Sequence, residues 1–126
     1  MIDLGVEIFN YNAIAGLSFL IFIGYLNDKP EDISLFLQSD DDKLKHNHKL
    51  PKKNKQQIGS FLTNLNIKEI LKIMEIYCEK FVFREMSFVS ALKFFLSNMN
   101  VENDPEKIDI LLYAFAKKYF KVFFFV

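Results

Sequence analysis

Residues 108–119 place Ile108, Leu111, Leu112, Phe115 and Tyr119 at spacings i, i+3, i+4, i+7 and i+11, which lines one face of a 3.6-residue helix and is incompatible with strand alternation. The same period recurs along the chain. An apolar pattern runs from Tyr11 to Leu26, and a second starts at "KPEDISLFLQ", where Pro30 suits a first helical turn and Glu31 and Asp32 favour the positive end of the helix dipole. A short helix is expected around "QQIGSFL". A fourth carries Ile67, Ile70, Leu71, Met74 and Cys78 behind a capping box of Asn66 and Glu69. A fifth carries Phe88, Ala91, Leu92, Phe95 and Met99, and the sixth is the 108–119 stripe. No strand-like alternation separates them. Short connections imply antiparallel or stacked neighbours, so the expected fold is all-α, a superhelical stack of about six short helices.

At 126 residues the chain is expected to form a single domain, 1–126, and its 51% apolar content with 15 Phe supplies an ample core. Residues 39–56, "SDDDKLKHNHKLPKKNKQ", interrupt the helical pattern and read as a polar, lysine-rich loop. Sixteen basic and sixteen acidic side chains cancel, and Arg84 is the only arginine, so a nucleic-acid partner is not expected. The apolar stretch "AIAGLSFLIFIGYL" is shorter than the roughly 20 residues of a membrane span and follows Asp3 and Glu7, not a basic leader, so it reads as a buried helix.

Cys78 is the only cysteine, which excludes an internal disulfide and suits a reducing, cytoplasmic compartment. It reads as a core residue, because a nucleophilic thiol needs a histidine partner and both histidines lie in the polar loop. His46 and His48 alone lack the further ligands of a zinc site, so no metal is expected. The six lysines between Lys43 and Lys55 read mainly as a solvated loop, with weak contact to an anionic membrane as the minority reading.

The order of residues then becomes recognisable. "FVSALKFFLSNMNVENDPEKIDILLYAFAKKYF" resembles the first signature of the Sec-seven domain, the exchange domain of guanine-nucleotide exchange factors for Arf GTPases, matching at Ala91, Leu92, Phe95, Leu96, Lys107, Ile108, Asp109, Ala114, Phe115, Ala116 and Tyr119. "FNYNAIAGLSFLIFIGYLNDKPEDISLFL" is similar to the opening of that family through Phe9, Asn10, Gly16, Phe19, Leu20, Leu26, Pro30, Ile33, Phe36 and Leu37. "LPKKNKQQIGSFL" adds Ile58, Gly59, Phe61 and Leu62.

The resemblance implies an Arf-type small GTPase as partner, no cofactor, and catalysis of GDP release without covalent chemistry. It also implies a regulatory role in vesicle trafficking, with a location in the cytoplasm and peripherally at the Golgi or other endomembranes. In the family an acidic finger enters the nucleotide site, displaces magnesium and the β-phosphate, and pairs with the nucleotide-binding lysine. A carboxylate thus takes a place built for phosphate oxygens. The gapless match at Lys107, Ile108 and Asp109 puts the finger at Asp104 and the GTPase-binding residues at Val101, Asn103, Pro105, Glu106, Lys107, Ile108 and Asp109.

Two features depart from the family. Asp104 is shorter than the family's glutamate, and it is also well placed as an N-cap ahead of Pro105. A shift of loop register would offer Glu102 or Glu106 instead. After Tyr119 the chain reads "FKVFFFV", with nothing like the family's second signature, so the expectation is the N-terminal half of the domain, with an open groove and an uncovered face on the last two helices. A different class of reading is an all-helical adaptor that binds a small GTPase, or another protein, without ejecting nucleotide.

Overall fold

The computed structural model describes residues 1–39, 51–101 and 104–124, the last four of them as backbone only. Among these residues the fold is all-helical, with seven helices in the order α1 (Ile2–Tyr11), α2 (Ala13–Phe22), α3 (Pro30–Gln38), α4 (Lys55–Leu62), α5 (Ile70–Cys78), α6 (Phe88–Leu96) and α7 (Pro105–Phe124). Helix α1 packs on α2, α3 lies against α5, α4 touches α1, α2 and α5, and α7 rests on α5 and α6.

The first helical pattern is corrected. Tyr11 ends α1, and the second helix runs only from Ala13 to Phe22. Asn12 breaks the chain between them: its backbone is extended at φ −154° and ψ 107°, and its side chain caps α2 by accepting from the Ala15 N–H at 3.1 Å. The two helices meet very closely at Gly16, where any Cβ would lie 2.3 Å from the Phe9 Cα.

The expected capping box of Asn66 and Glu69 does not form. Glu69 sits in the left-handed region at φ 60° and makes no side-chain cap, while Asn64 accepts from the Asn66 N–H at 3.0 Å within a run of turns. Helix α5 therefore starts at Ile70, and its buried face is Ile70, Ile73, Met74, Tyr77 and Cys78. Leu71, assigned to that face by spacing, is 71% exposed. In α7, Leu111 and Phe115 are buried and Tyr119 is half-buried, but Leu112 is exposed and Ile110 packs inward in its place. Met99 is buried beyond the end of α6, not within it.

An aromatic cluster fixes α6 and α7 to the connection before them. Phe81 stacks on Phe83 at 5.8 Å and meets Phe95 at 5.0 Å; Phe115 lies 5.2 Å from Phe83 and 5.6 Å from Phe95. Tyr119 closes the cluster by donating its hydroxyl to the Met86 carbonyl at 3.2 Å. Each such ring pair adds roughly 0.5–1.5 kcal/mol beyond its buried area, and together they hold the two helices that flank the acidic loop.

Within the polar segment, residues 40–50 lie outside the described residues, and with them His46 and His48. Its last part is not a loop: Lys55 and Gln56 already belong to α4. Lys53 is held in place, with its Nζ 4.6 Å above the Phe36 ring and donating to the Ser39 carbonyl.

Candidate functional site

An open cleft of about 730 Å³ lies between the start of α4 and the segment that leads into α7, lined by Gln56, Gln57, Ser60, Asn100, Val101, Asp104 and Lys107. It contains the residue singled out as the acidic finger.

Asp104 stands at the N-terminus of α7. Its Oδ1 accepts from the Glu106 N–H at 3.1 Å and from the Lys107 N–H at 3.4 Å, and its carbonyl accepts from the Ile108 N–H at 3.0 Å. Pro105 follows as the first helical residue, where its missing N–H costs nothing. The N-cap expected of Asp104 is thus present. Both amide bonds go to Oδ1, so the cap leaves Oδ2 out of its geometry. The carboxylate is half-buried on the cleft wall beside Lys107.

The other proposed contact residues fall into two groups. Lys107 and Ile108 are half-buried, whereas Pro105, Glu106 and Asp109 are exposed around the first turn of α7. Val101 is also half-buried but packs against the core, which makes it a support of the loop. Asn103 and the alternative acid Glu102 lie outside the described residues.

The opposite wall is built by residues that spacing alone does not reveal. Asn54 caps α4, accepting from the Gln56 and Gln57 N–H groups at 2.8 and 3.2 Å. Its own N–H donates to Asn10 Oδ1 at 2.7 Å, and Asn10 Nδ2 donates to the Lys52 carbonyl at 2.9 Å. Gln57 Oε1 accepts from the Ala13 N–H at 2.9 Å. A network of amides therefore ties the start of α4 to the corner between α1 and α2. The Asn100 N–H then donates to the Lys55 carbonyl at 3.2 Å and fastens the acidic loop to the same helix. An asparagine or glutamine with no obvious local cap is a weak signal for such work, because the partners are more than forty positions away.

The arrangement offers a fixed carboxylate on a helix N-terminus, beside a polar cleft whose described lining holds no cysteine or histidine. Among the described residues no group of three or more His, Cys, Asp or Glu could hold a metal ion.

Residues 1–123 match the Sec7 domain family model, and the chain belongs to that family. It is 33% identical over 117 residues to Brefeldin A-inhibited guanine nucleotide-exchange protein 2 of Arabidopsis thaliana, and 32% identical over 119 residues to Brefeldin A-inhibited guanine nucleotide-exchange protein 1 of Homo sapiens. These alignments cover 93% and 94% of this chain but 6% of each relative. The fold superposes on the structure of ARF1-GDP bound to a Sec7 domain complexed with Brefeldin A with a TM-score of 0.76 at 24% identity, covering 94% of this chain and 55% of that one. For the Sec7p catalytic domain the TM-score is 0.70 at 26% identity, over 91% of this chain and 58% of the other. The chain thus spans just over half the length of the solved Sec7 domains and a small fraction of its curated relatives.

Proposed function

We propose that residues 1–126 act as one unit, the acidic-finger portion of a guanine-nucleotide exchange factor for an Arf-type small GTPase. What supports the reading most is the place of Asp104. It pairs a helix cap with a carboxylate oxygen that the cap does not use, at the edge of an open cleft and at the family's finger position. The chemistry is electrostatic competition. Oδ2 enters the nucleotide site, displaces magnesium and the β-phosphate, and pairs with the GTPase's nucleotide-binding lysine, which stabilises the nucleotide-free GTPase relative to its GDP form. Lys107, Ile108 and Asp109 flank the finger, with Pro105 and Glu106 on its exposed side and Val101 beneath it, and the contact set includes Asn103 by its place in the sequence.

The decisive measurement is release of a fluorescent GDP analogue from an Arf-type GTPase, with Asp104→Asn as the central variant. Asparagine caps a helix about as well as aspartate, so Asp104→Asn keeps the stability of the chain within about 0.5 kcal/mol yet removes the charge and abolishes acceleration. Asp104→Glu, which restores the family's reach, raises the rate. Exchange that is insensitive to Asp104→Asn, or absent even when the chain is joined to the rest of a Sec7 domain, defeats the proposal.

The second reading is a helical adaptor that binds a GTPase or another protein without exchange. Its support is that the Asp104 carboxylate is already engaged by two backbone amides. Binding unchanged by Asp104→Lys, with no GDP release, selects it.

A trafficking role at endomembranes follows from the exchange reading. Among the described residues no helix is long and apolar enough to cross a membrane. We include in the proposal a weak peripheral contact through the lysines of residues 43–55, each worth about 1 kcal/mol at an anionic surface. Lys53 is excluded from it by its engagement with Phe36 and Ser39. Neutralising Lys43, Lys45 and Lys49 should reduce pelleting with anionic liposomes at low salt, and unchanged pelleting removes this part.

A further inference from the structure

The spacing between α4 and the acidic loop is set by one position. A Cβ built on Gly59 falls 2.9 Å from Val101 Cγ1 and 3.4 Å from the Asn100 carbonyl oxygen, so the bare backbone of Gly59 is the seat on which the Val101 side chain rests. One turn earlier on the same face of α4, the Lys55 carbonyl accepts from the Asn100 N–H. Helix α4 is a firm base, because Asn54 and Gln57 tie its start to Asn10 and Ala13. The loop is therefore clamped at residues 100–101, three positions before Asp104, whose own cap clamps the other end to α7.

Resting on the exchange reading above, we propose that Gly59 is a positioning residue for the exchange reaction. The absence of a side chain at 59 lets residues 100 and 101 lie close on α4 and so sets where the Asp104 carboxylate stands relative to the GTPase. Alanine at this position forces Val101 Cγ1 from 2.9 Å to an ordinary contact of at least 3.4 Å, a movement of 0.5 Å or more, at the root of the finger. Misplacing a positioned group by about 1 Å can cost about a hundredfold in rate, so an Asp104 carboxylate carried half that distance loses about tenfold. Alanine is a better helix former than glycine, so α4 itself is not weakened by the change.

The test is a double-mutant cycle on the full chain with Gly59→Ala, Val101→Ala and the pair together, read in two ways. The first is steady-state GDP release from an Arf-type GTPase. The second is the amide NMR resonances of Glu106 and Lys107, which report the Asp104 cap without any GTPase. Gly59→Ala is expected to lower kcat about tenfold, to leave KM within about twofold, and to shift both amide resonances. Val101→Ala alone loosens the seat and also lowers kcat. The pair restores most of the rate and the original resonances, because the methyl introduced in place of the Gly59 hydrogen takes up part of the space vacated by the two valine methyls, which relieves the clash. Losses that simply multiply in the pair overturn the inference, as do unchanged amide resonances in Gly59→Ala. If Gly59→Ala fails to fold, recovery in the pair still decides. If the parent chain accelerates no exchange, the functional reading fails by itself, and the resonances alone decide whether Gly59 positions the loop.

Discussion

The Cys78 thiol lies in the last turn of α5, and burial pushes its pKa from the ordinary 9.0 up to about 12, with Lys118 pulling it down and Glu79 adding to the rise. An unfolded chain releases this proton near pH 9, whereas the folded chain holds it to about pH 12. In that window the folded state binds more protons, so the contribution of Cys78 to stability is complete below pH 9 and falls as pH rises through it. Urea midpoints of the parent chain and of Cys78→Ala at pH 7.5 and pH 10.5 should show this. The alanine variant starts lower because of its cavity but loses less between the two pH values. Equal losses would show that the thiol does not titrate with folding. At neutral pH the same burial keeps the sulfur as an unreactive thiol, since only a thiolate attacks electrophiles. The sequence already points that way, because the lone cysteine falls on the apolar face of a helix and both histidines fall in the polar segment. The Asp104 cap is legible for a similar reason: an aspartate followed by proline at the head of a periodic stripe defines its own local geometry. The partners of Asn10 and Gln57 are not legible, since nothing local announces a bond to a backbone amide more than forty residues away.

Among the helices, the long ones with complete stripes can be read directly, and the failures have physical causes. The stripe predicts α7 over residues 108–119, and the helix runs from Pro105 to Phe124. Leu112 leaves the buried face because α7 meets α5 and α6 along a narrower line than the stripe defines, and Ile110 fills the flank. Helix α1 is hidden in the sequence because Ile2–Tyr11 and Ala13–Phe22 share an apolar texture, and the break between them is an asparagine, not a glycine or proline. The capping box fails because Asn64 captures the turn first and leaves Glu69 in a left-handed conformation. Gly16 tests the α1–α2 corner most directly. A methyl there meets the backbone and Cβ of Phe9 at 2.3–2.5 Å, and backbone cannot swing aside as a side chain can. Gly16→Ala is expected to destabilise the chain by about 3 kcal/mol despite alanine's better helix propensity, the usual upper range for overpacking. A chemical-denaturation ΔΔG below about 1 kcal/mol would mean that α1 can slide on α2.

Among the described residues, the core is filled between α1 and α5, while α6 and α7 carry exposed apolar side chains. Phe9, Leu20, Leu37, Leu62 and Ile73 fill the interior between α1 and α5, and the aromatic cluster carries the core onward to Phe115. Beyond it, α6 and α7 present Val89 at 58% exposure and Tyr113 at 73%, with Phe88, Leu112 and Phe120 also in solvent. The solved Sec7 domains are longer than the part this chain matches, by a little under half of their length. If the unmatched part covers this face, one substitution should have two different costs. Leu112→Glu in residues 1–126 alone places a charge at a side chain that is 38% exposed and can turn to solvent, and should cost about 1 kcal/mol. In a chimera that adds the unmatched part of the Sec7p catalytic domain, the same glutamate is buried without a partner and should cost about 3 kcal/mol or more. The chimera should also bind less of an apolar dye than the short chain, because exposed apolar side chains of this kind are what such dyes report. Equal costs for Leu112→Glu in the two proteins would place the added segment elsewhere. They would also separate this face from the exchange groove, leaving Asp104 and its cleft to act without a second wall on α7.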